Sequence, residues 1–227
     1  EGMTLTVAGT LTVNGTLTNY GTLTNSGTID VSGTIAGNGT FDGTGTYSGQ
    51  ELVAYSYYDT SSRRWINTSH TATVLTKDSS TTWGSAGTTT WYVVNQNIEF
   101  SDRINIDGNV HLILADGYTL TAKEGIKLES GNSLTIYGQP NGAGNLTATS
   151  VGGNEPHAAI GGNAGSDGNE TTPGTSGGDA GPLTVHGGTV EATASGTNST
   201  AIGGGPGGDS GSVSGSKSEA QAVLGRQ

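Results

Sequence analysis

Seven glycines stand six residues apart near the start of the chain, at Gly9, Gly15, Gly21, Gly27, Gly33, Gly39 and Gly45. Threonine follows each, and the residue after that is always large: Leu11, Leu17, Leu23, Ile29, Ile35, Phe41 and Tyr47. A corner glycine and one inward apolar residue per hexad describe short strands that turn sharply and stack in layers. Val7, Val13 and Val31 supply a second inward position, which Asn19 and Asn25 take in two other hexads; stacked amides there can ladder by side-chain hydrogen bonds. Three hexads per layer make residues 4–48 only two to three layers deep, so this block needs a neighbour to cap or continue it.

A second pattern runs from Ile98 to Tyr137. Ile98/Phe100, Ile104/Ile106, Val110/Leu112/Leu114, Tyr118/Leu120, Ile126/Leu128 and Leu134/Ile136 alternate with polar or small residues, which is the period of a strand. Turn chemistry such as Asp-Gly-Asn and Lys-Glu-Gly separates them. Ile98 and Leu120 are 22 residues apart, as are Ile104 and Ile126; Val110 and Leu134 are 24 apart, and Leu120 and Leu146 are 26 apart. Three short strands per turn of this length predict an all-β parallel β-helix, a solenoid whose core is one thin column of stacked side chains. Such a core suits a chain with 41 glycines and only 31% hydrophobic residues. Ile104, Ile106, Val110, Leu112, Leu120, Ile126, Leu128, Leu134 and Ile136 are expected to point inward.

Between the two patterns, residues 49–90 break the periodicity. Tyr55, Tyr57 and Tyr58 precede Asp-Thr-Ser-Ser at 59–62, and Arg63, Arg64, Trp65 and Ile66 follow, which predicts a β-hairpin with a four-residue turn. Lys77–Thr90 is rich in Ser, Thr and Gly and reads as loop. Aromatics are 6% of the chain, so their density here marks Tyr55, Tyr57, Tyr58, Trp65 and Trp83, with Arg63 and Arg64, as candidate ligand-binding residues. Exposed Trp and Tyr stack against sugar rings while their polar tips meet hydroxyls. The competing reading makes the aromatics an internal plug between the two repeat blocks.

Residues 91–215 continue the main repeat. Ala158-Ala-Ile-Gly-Gly returns 42 residues later as Thr200-Ala-Ile-Gly-Gly, and about twelve extra residues in the first copy, Ser166–Ser176, predict a surface loop. Residues 216–227 lose the glycine pattern and read as a helical cap or a ragged end. The repeat begins almost at residue 1, which reads as a mature fragment or an excised piece.

The runs Trp91-Tyr-Val-Val, Asp102–Ala122, Lys123-Glu-Gly-Ile and Ser133–Gln139 resemble the right-handed β-helix modules of large cell-surface proteins of Gram-positive gut bacteria. The Ala-Ile-Gly-Gly segments and Val185-His-Gly-Gly-Thr-Val190 are similar to glycine-rich rungs of those proteins, and the hexads to repeats of many bacterial adhesins. The resemblance covers most of residues 4–215 apart from the aromatic insert. It implies right-handedness, secretion and display on the cell wall, and an adhesin-like role in binding carbohydrate or a host glycoprotein. A purely structural stalk is the alternative it leaves open.

Pectate-lyase-like enzymes share this fold class, which directs attention to Asp102, Asp107, Asp116 and Arg103. Asp-Gly in turns is ordinary turn chemistry, and no paired acid and base stands out, so no catalytic residue is assigned. His70, His111, His157 and His186 lack metal-ligand spacing; His111, between Val110 and Leu112, faces outward. Gly204-Gly-Pro-Gly-Gly-Asp209 opens like a calcium β-roll nonapeptide but without a tandem copy, so neither a metal nor a cofactor is expected. Thr10/Thr12, Thr16/Thr18 and Thr22/Thr24 resemble an ice-binding face, yet Asp30, Ala36 and Asp42 break its continuation. Net charge −11 argues against nucleic acid and favours a soluble monomer. No cysteine is present, so there are no disulfides, and no apolar run is long enough for a membrane helix.

Overall fold

The computed structural model describes residues 2–37, 39–42, 46–150, 157–169, 171–195 and 199–208. Residues 216–227 and Asp209, assigned above to a cap and a calcium-like motif, lie outside them. The described residues are all β, with parallel strand pairs in every sheet and no helix.

The hexad block forms β1 (Thr4–Val7), β2 (Thr10–Val13), β3 (Thr16–Thr18), β4 (Thr22–Asn25), β5 (Thr28–Ala36) and β6 (Thr40–Asp42). Leu5 pairs with Leu23, Leu11 with Ile29 and Leu17 with Ile35, all in parallel register. Each offset is 18 residues, three hexads. The first layer is open on one side and the second is covered, so Leu5 is 47% exposed and Leu23 2%. Asn25 stands opposite Val7 rather than another amide. Its Oδ1 accepts the Gly27 N–H at 3.0 Å, and Asn19 does the same for Gly21, so both asparagines shape corners.

The chain then makes a long hairpin, β7 (Thr46–Asp59) and β8 (Arg64–Val74), and enters β9 (Thr82–Val94). β7 belongs to more than one neighbour. Its start continues the hexad register against β5, and from Gln50 onward it pairs antiparallel with β8. The stretch read as loop up to Thr90 is strand from Thr82, because it pairs with β11 (Ile104–Leu114) across a bulge. Its Ser, Thr and Gly content hid that strand.

The remaining strands are β10 (Ile98–Phe100), β12 (Thr119–Ala122), β13 (Ile126–Lys127), β14 (Ser133–Gly138), β15 (Asn145–Ser150), β16 (Ala158–Gly161), β17 (Leu183–Val185), β18 (Thr189–Ala194) and β19 (Thr200–Gly203). Parallel pairing aligns them in three columns. Ile98, Leu120, Leu146 and Val190 succeed one another in the first. Ile104, Ile126, Ile160 and Ile202 do so in the second, and Val110, Leu134 and Leu183 in the third. Every spacing read from the sequence is thus a register pair. All nine residues expected to point inward are buried in one core shared by the columns. Burying each such side chain contributes roughly 1.5–3 kcal/mol.

A second core crosses the back of this assembly. It joins Val7, Val13, Leu23, Ile29, Val31 and Ile35 of the hexads to Val53, Tyr55, Ala72 and Val74 of the hairpin and to Val93, Ile113, Ala115 and Tyr137. The ends of β9, β11 and β14 are therefore buried on both faces. Tyr92, Val94, Leu112, Leu114 and Ile136 pack into or against the first core; Trp91, Val93, Ile113 and Tyr137 pack into or against the second. Two-sided burial produces runs of consecutive apolar residues instead of alternation, as in Leu112-Ile113-Leu114.

At the carboxyl end three glycine-rich segments lie side by side. The Gly178 N–H donates to the Asn163 carbonyl and the Gly205 N–H to the Gly178 carbonyl, each at 2.9 Å. The Thr175 N–H donates to the Ser166 carbonyl at 2.9 Å, and the described residues of the segment 166–176 are mostly exposed.

Glycine spacing in the hexads reflects crowding between layers. A Cβ on Gly27 would lie 2.0 Å from the Gly9 carbonyl oxygen, which accepts the Thr28 N–H at 2.8 Å; a Cβ on Gly9 would meet nothing within 4 Å. Gly27→Ala is therefore expected to destabilise by about 2 kcal/mol or more, and Gly9→Ala by no more than about 0.5 kcal/mol. Urea titration followed by circular dichroism measures both, and equal losses would contradict the stacking account.

Candidate functional site

Antiparallel pairing fixes which hairpin residues share a face. Tyr55 pairs with Thr68, Tyr57 with Ile66 and Asp59 with Arg64, while Tyr58 pairs with Trp65 on the opposite face. The first face lies toward the sheet at its base, and Tyr55 packs there at 8% exposure. Its ring stands 4.7 Å from Tyr137, edge to face, and 5.2 Å from Trp91.

Beneath the hairpin runs a row of parallel rings that the sequence did not reveal. His70 stacks on Trp91 at 4.1 Å and 14°, and Trp91 on His111 at 4.3 Å and 19°. Tyr137 stacks on Trp91 at 5.3 Å and on His186 at 5.2 Å. Tyr57 meets both Tyr137 and His186 edge-on. Register builds the row: Trp91 is opposite His111, and Tyr137 and His186 each follow a paired residue, Ile136 and Val185. The spacings along the sequence are unequal, so no motif announces it.

Burial shifts two groups of this row, His111 and Tyr137. The His111 imidazole is pushed below the usual range by burial, then by His70 and His186, and its Nδ1 lies 3.0 Å from the Tyr137 hydroxyl. Burial, followed by Tyr55 and Tyr57, raises the Tyr137 phenol to about 12. The rings hold the hairpin by stacking, worth about 0.5–1.5 kcal/mol per pair beyond area burial.

The hairpin tip is different. Trp65 is 61% exposed and Tyr58 42%; their rings meet edge to face at 5.9 Å. Arg63 and Arg64 are exposed where the turn enters β8, Arg64 on the face of Asp59. Arg63 has a left-handed backbone, φ 54°, unique among described non-glycine residues. Asp59 fastens the turn: Oδ1 accepts from the Ser61 N–H and hydroxyl, and Oδ2 from those of Ser62. These bonds hold its carboxyl near 2.

The seven candidate residues thus separate. Tyr58, Arg63, Arg64 and Trp65 are all exposed at the tip, Arg64 on the face opposite Tyr58 and Trp65, and Tyr57 is half-buried below. Tyr55 is packed in the second core. Trp83, placed above among surface aromatics, is 1% exposed in the first core. It stands in register with Ile106, and its Nε1–H donates to the Ser80 carbonyl at 3.0 Å. As a core residue, Trp83 offers no ring face to a ligand.

Two of the residues weighed for lyase chemistry, Arg103 and Asp116, have backbone tasks. Arg103 donates to the carbonyls of Ala158 at 3.0 Å and Gly161 at 3.2 Å and to Asn163 Oδ1 at 2.5 Å; burial lowers its pKa to about 10. Asp116 accepts the Ala143 N–H at 2.8 Å and the Asn141 N–H at 3.3 Å. Asp102 is exposed. No group of three or more His, Asp or Glu among the described residues is placed to hold a metal ion.

No protein-family model matches the chain, and neither a curated protein nor a solved structure matches it.

One carboxyl at the hairpin base is displaced upward. Glu51 is buried, which raises it to about 7 although Asn95 Nδ2 donates to its Oε2 at 2.7 Å. Unfolded, it ionises near 4.5, so the unfolded chain releases this proton first as pH rises. Its contribution to stability is expected to fall between pH 4.5 and about 7 and to level off outside that window, by up to about 3 kcal/mol. Denaturant midpoints across this range measure the slope; Glu51→Gln should flatten it and be the more stable protein above pH 7.

Proposed function

We propose that this chain is a right-handed parallel β-helix module of a secreted, wall-displayed bacterial surface protein. Its hairpin presents a non-catalytic, adhesin-like binding face to carbohydrate or a host glycoprotein. Parallel register at offsets of 18, 22, 24 and 26 residues supports the solenoid. The observation that carries the binding role is the exposed Tyr58–Trp65 pair on a hairpin anchored at its base. A large, rigid aromatic surface held in solvent suits the apolar face of a sugar ring.

The stalk reading draws on the burial of Tyr55 and Trp83, which shows how much of the aromatic insert serves packing. The lyase reading loses ground because Arg103 and Asp116 are bonded to different backbone segments. Incubation with uronate polymers should give no rise in absorbance from unsaturated products; a rise lost in Asp116→Ala would reverse this.

A glycan array tests the binding role. Wild type should bind, and Trp65→Ala, an exposed change that leaves the strand signal in circular dichroism unaltered, should weaken binding by roughly tenfold or more. A folded wild type that binds nothing would favour the stalk.

A further inference from the structure

We infer that the hairpin tip selects an acidic sugar, a pyranose carrying a carboxylate or a sulfate, over its neutral counterpart. The inference rests on the binding role proposed above and specifies its ligand. Six of the chain's eight basic residues are described, and four of them are occupied. Lys77, Lys123 and Lys127 pair with Asp78, Glu99 and Glu129. Arg103 is spent on carbonyls and Asn163. No described carboxylate pairs with Arg63 or Arg64. Two arginines without a described carboxylate partner thus follow one another at the turn of a chain of net charge −11, Arg64 on the Asp59 face of the hairpin and the exposed Trp65 on the other.

The carboxylate opposite Arg64 is engaged elsewhere. Asp59 lies opposite Arg64 in the strand register, yet its oxygens are taken by the amides and hydroxyls of Ser61 and Ser62. Arg63 also keeps a left-handed backbone where glycine or asparagine would be unstrained, and an outlier of this kind is a reason to look for function. Guanidinium forks bind carboxylate and sulfate oxygens in pairs, and Trp65 with Tyr58 supplies the flat wall for the ring.

An anionic membrane is a different partner with some of the same chemistry. A membrane-inserting tip carries its apolar residues at the apex. Here the apex is Thr60, Ser61, Ser62 and Arg63, and the aromatic pair lies on the flank. The flank favours a ring laid sideways.

Titration calorimetry with four probes tests the inference: oligogalacturonate, neutral oligogalactose, sulfated oligogalactose, and vesicles of phosphatidylserine and phosphatidylcholine. Wild type is expected to bind one or both acidic oligosaccharides about tenfold tighter than the neutral one. The double variant Arg63→Gln/Arg64→Gln should bind all three sugars at the neutral level, and Trp65→Ala should weaken all three. Equal affinity for acidic and neutral sugars, or a preference that survives the double variant, overturns acidic selection while leaving sugar binding intact. A folded wild type that binds none of the sugars overturns both proposals. Binding to vesicles alone does so too and assigns the tip to membranes.

Discussion

The parallel main-chain ladder is the constraint on which everything else in this chain depends. Each layer lies so close to the next that a carbonyl of one occupies the space a side chain would need in the other. The Gly27 position against Gly9 shows this in the hexads, and Gly205 against Asn163 shows it in the carboxyl-terminal segments, where a Cβ would lie 1.7 Å from the carbonyl oxygen. Layers this close fix the register, and in a parallel ladder register decides which side chains succeed one another along a column. The isoleucine column from Ile104 to Ile202 and the row of rings through Trp91 and His111 are two products of the same ladder, one on each face of it.

Burial on both faces gives the middle sheet its role. A strand with one face in water would leave Val93, Ile113 and Tyr137 uncovered; the hairpin covers them. Its base is aliphatic against aliphatic, through Val53, Ala72 and Val74, and further out it is aromatic against aromatic, through Tyr55 and Tyr57. Beyond the sheet the hairpin has nothing to pack on, and there its residues become polar, charged or exposed aromatic. The exposed group is therefore a consequence of a hairpin longer than the surface it covers.

Much of this was legible. The hexads and the 22-, 24- and 26-residue spacings carry the register directly, because inward positions are filled by large aliphatic residues and corners by glycine. The hairpin was legible from Asp-Thr-Ser-Ser between aromatic runs, and its tip residues were named from sequence. Trp83 was misplaced because β9 is built of Thr, Ser and Gly at that point, and only its pairing with Ile106 makes it core. Tyr55 was grouped with Tyr58 by proximity in sequence, although alternation along β7 sends them to opposite faces. The ring row was illegible because its members come from five strands or their ends, at unequal intervals. A cue did exist: consecutive apolar residues such as Val93-Val94 and Leu112-Ile113-Leu114 signal a sheet covered on both faces, and something had to cover it.

The hairpin's attachment answers to pH from two directions. Protonating His111 would put a charge in an apolar stack beside two further imidazoles, His70 and His186, with no carboxylate among the stacked rings. Its folded pKa is depressed, so the unfolded chain binds the proton first, and stability is lost as pH falls below 6.5 toward the folded value. Glu51, at the base of the same hairpin, has its pKa raised, and its contribution declines as pH climbs toward 7. The two groups oppose each other in sign. Near neutrality the Glu51 carboxyl is partly protonated, and stacking and aliphatic contact dock the hairpin.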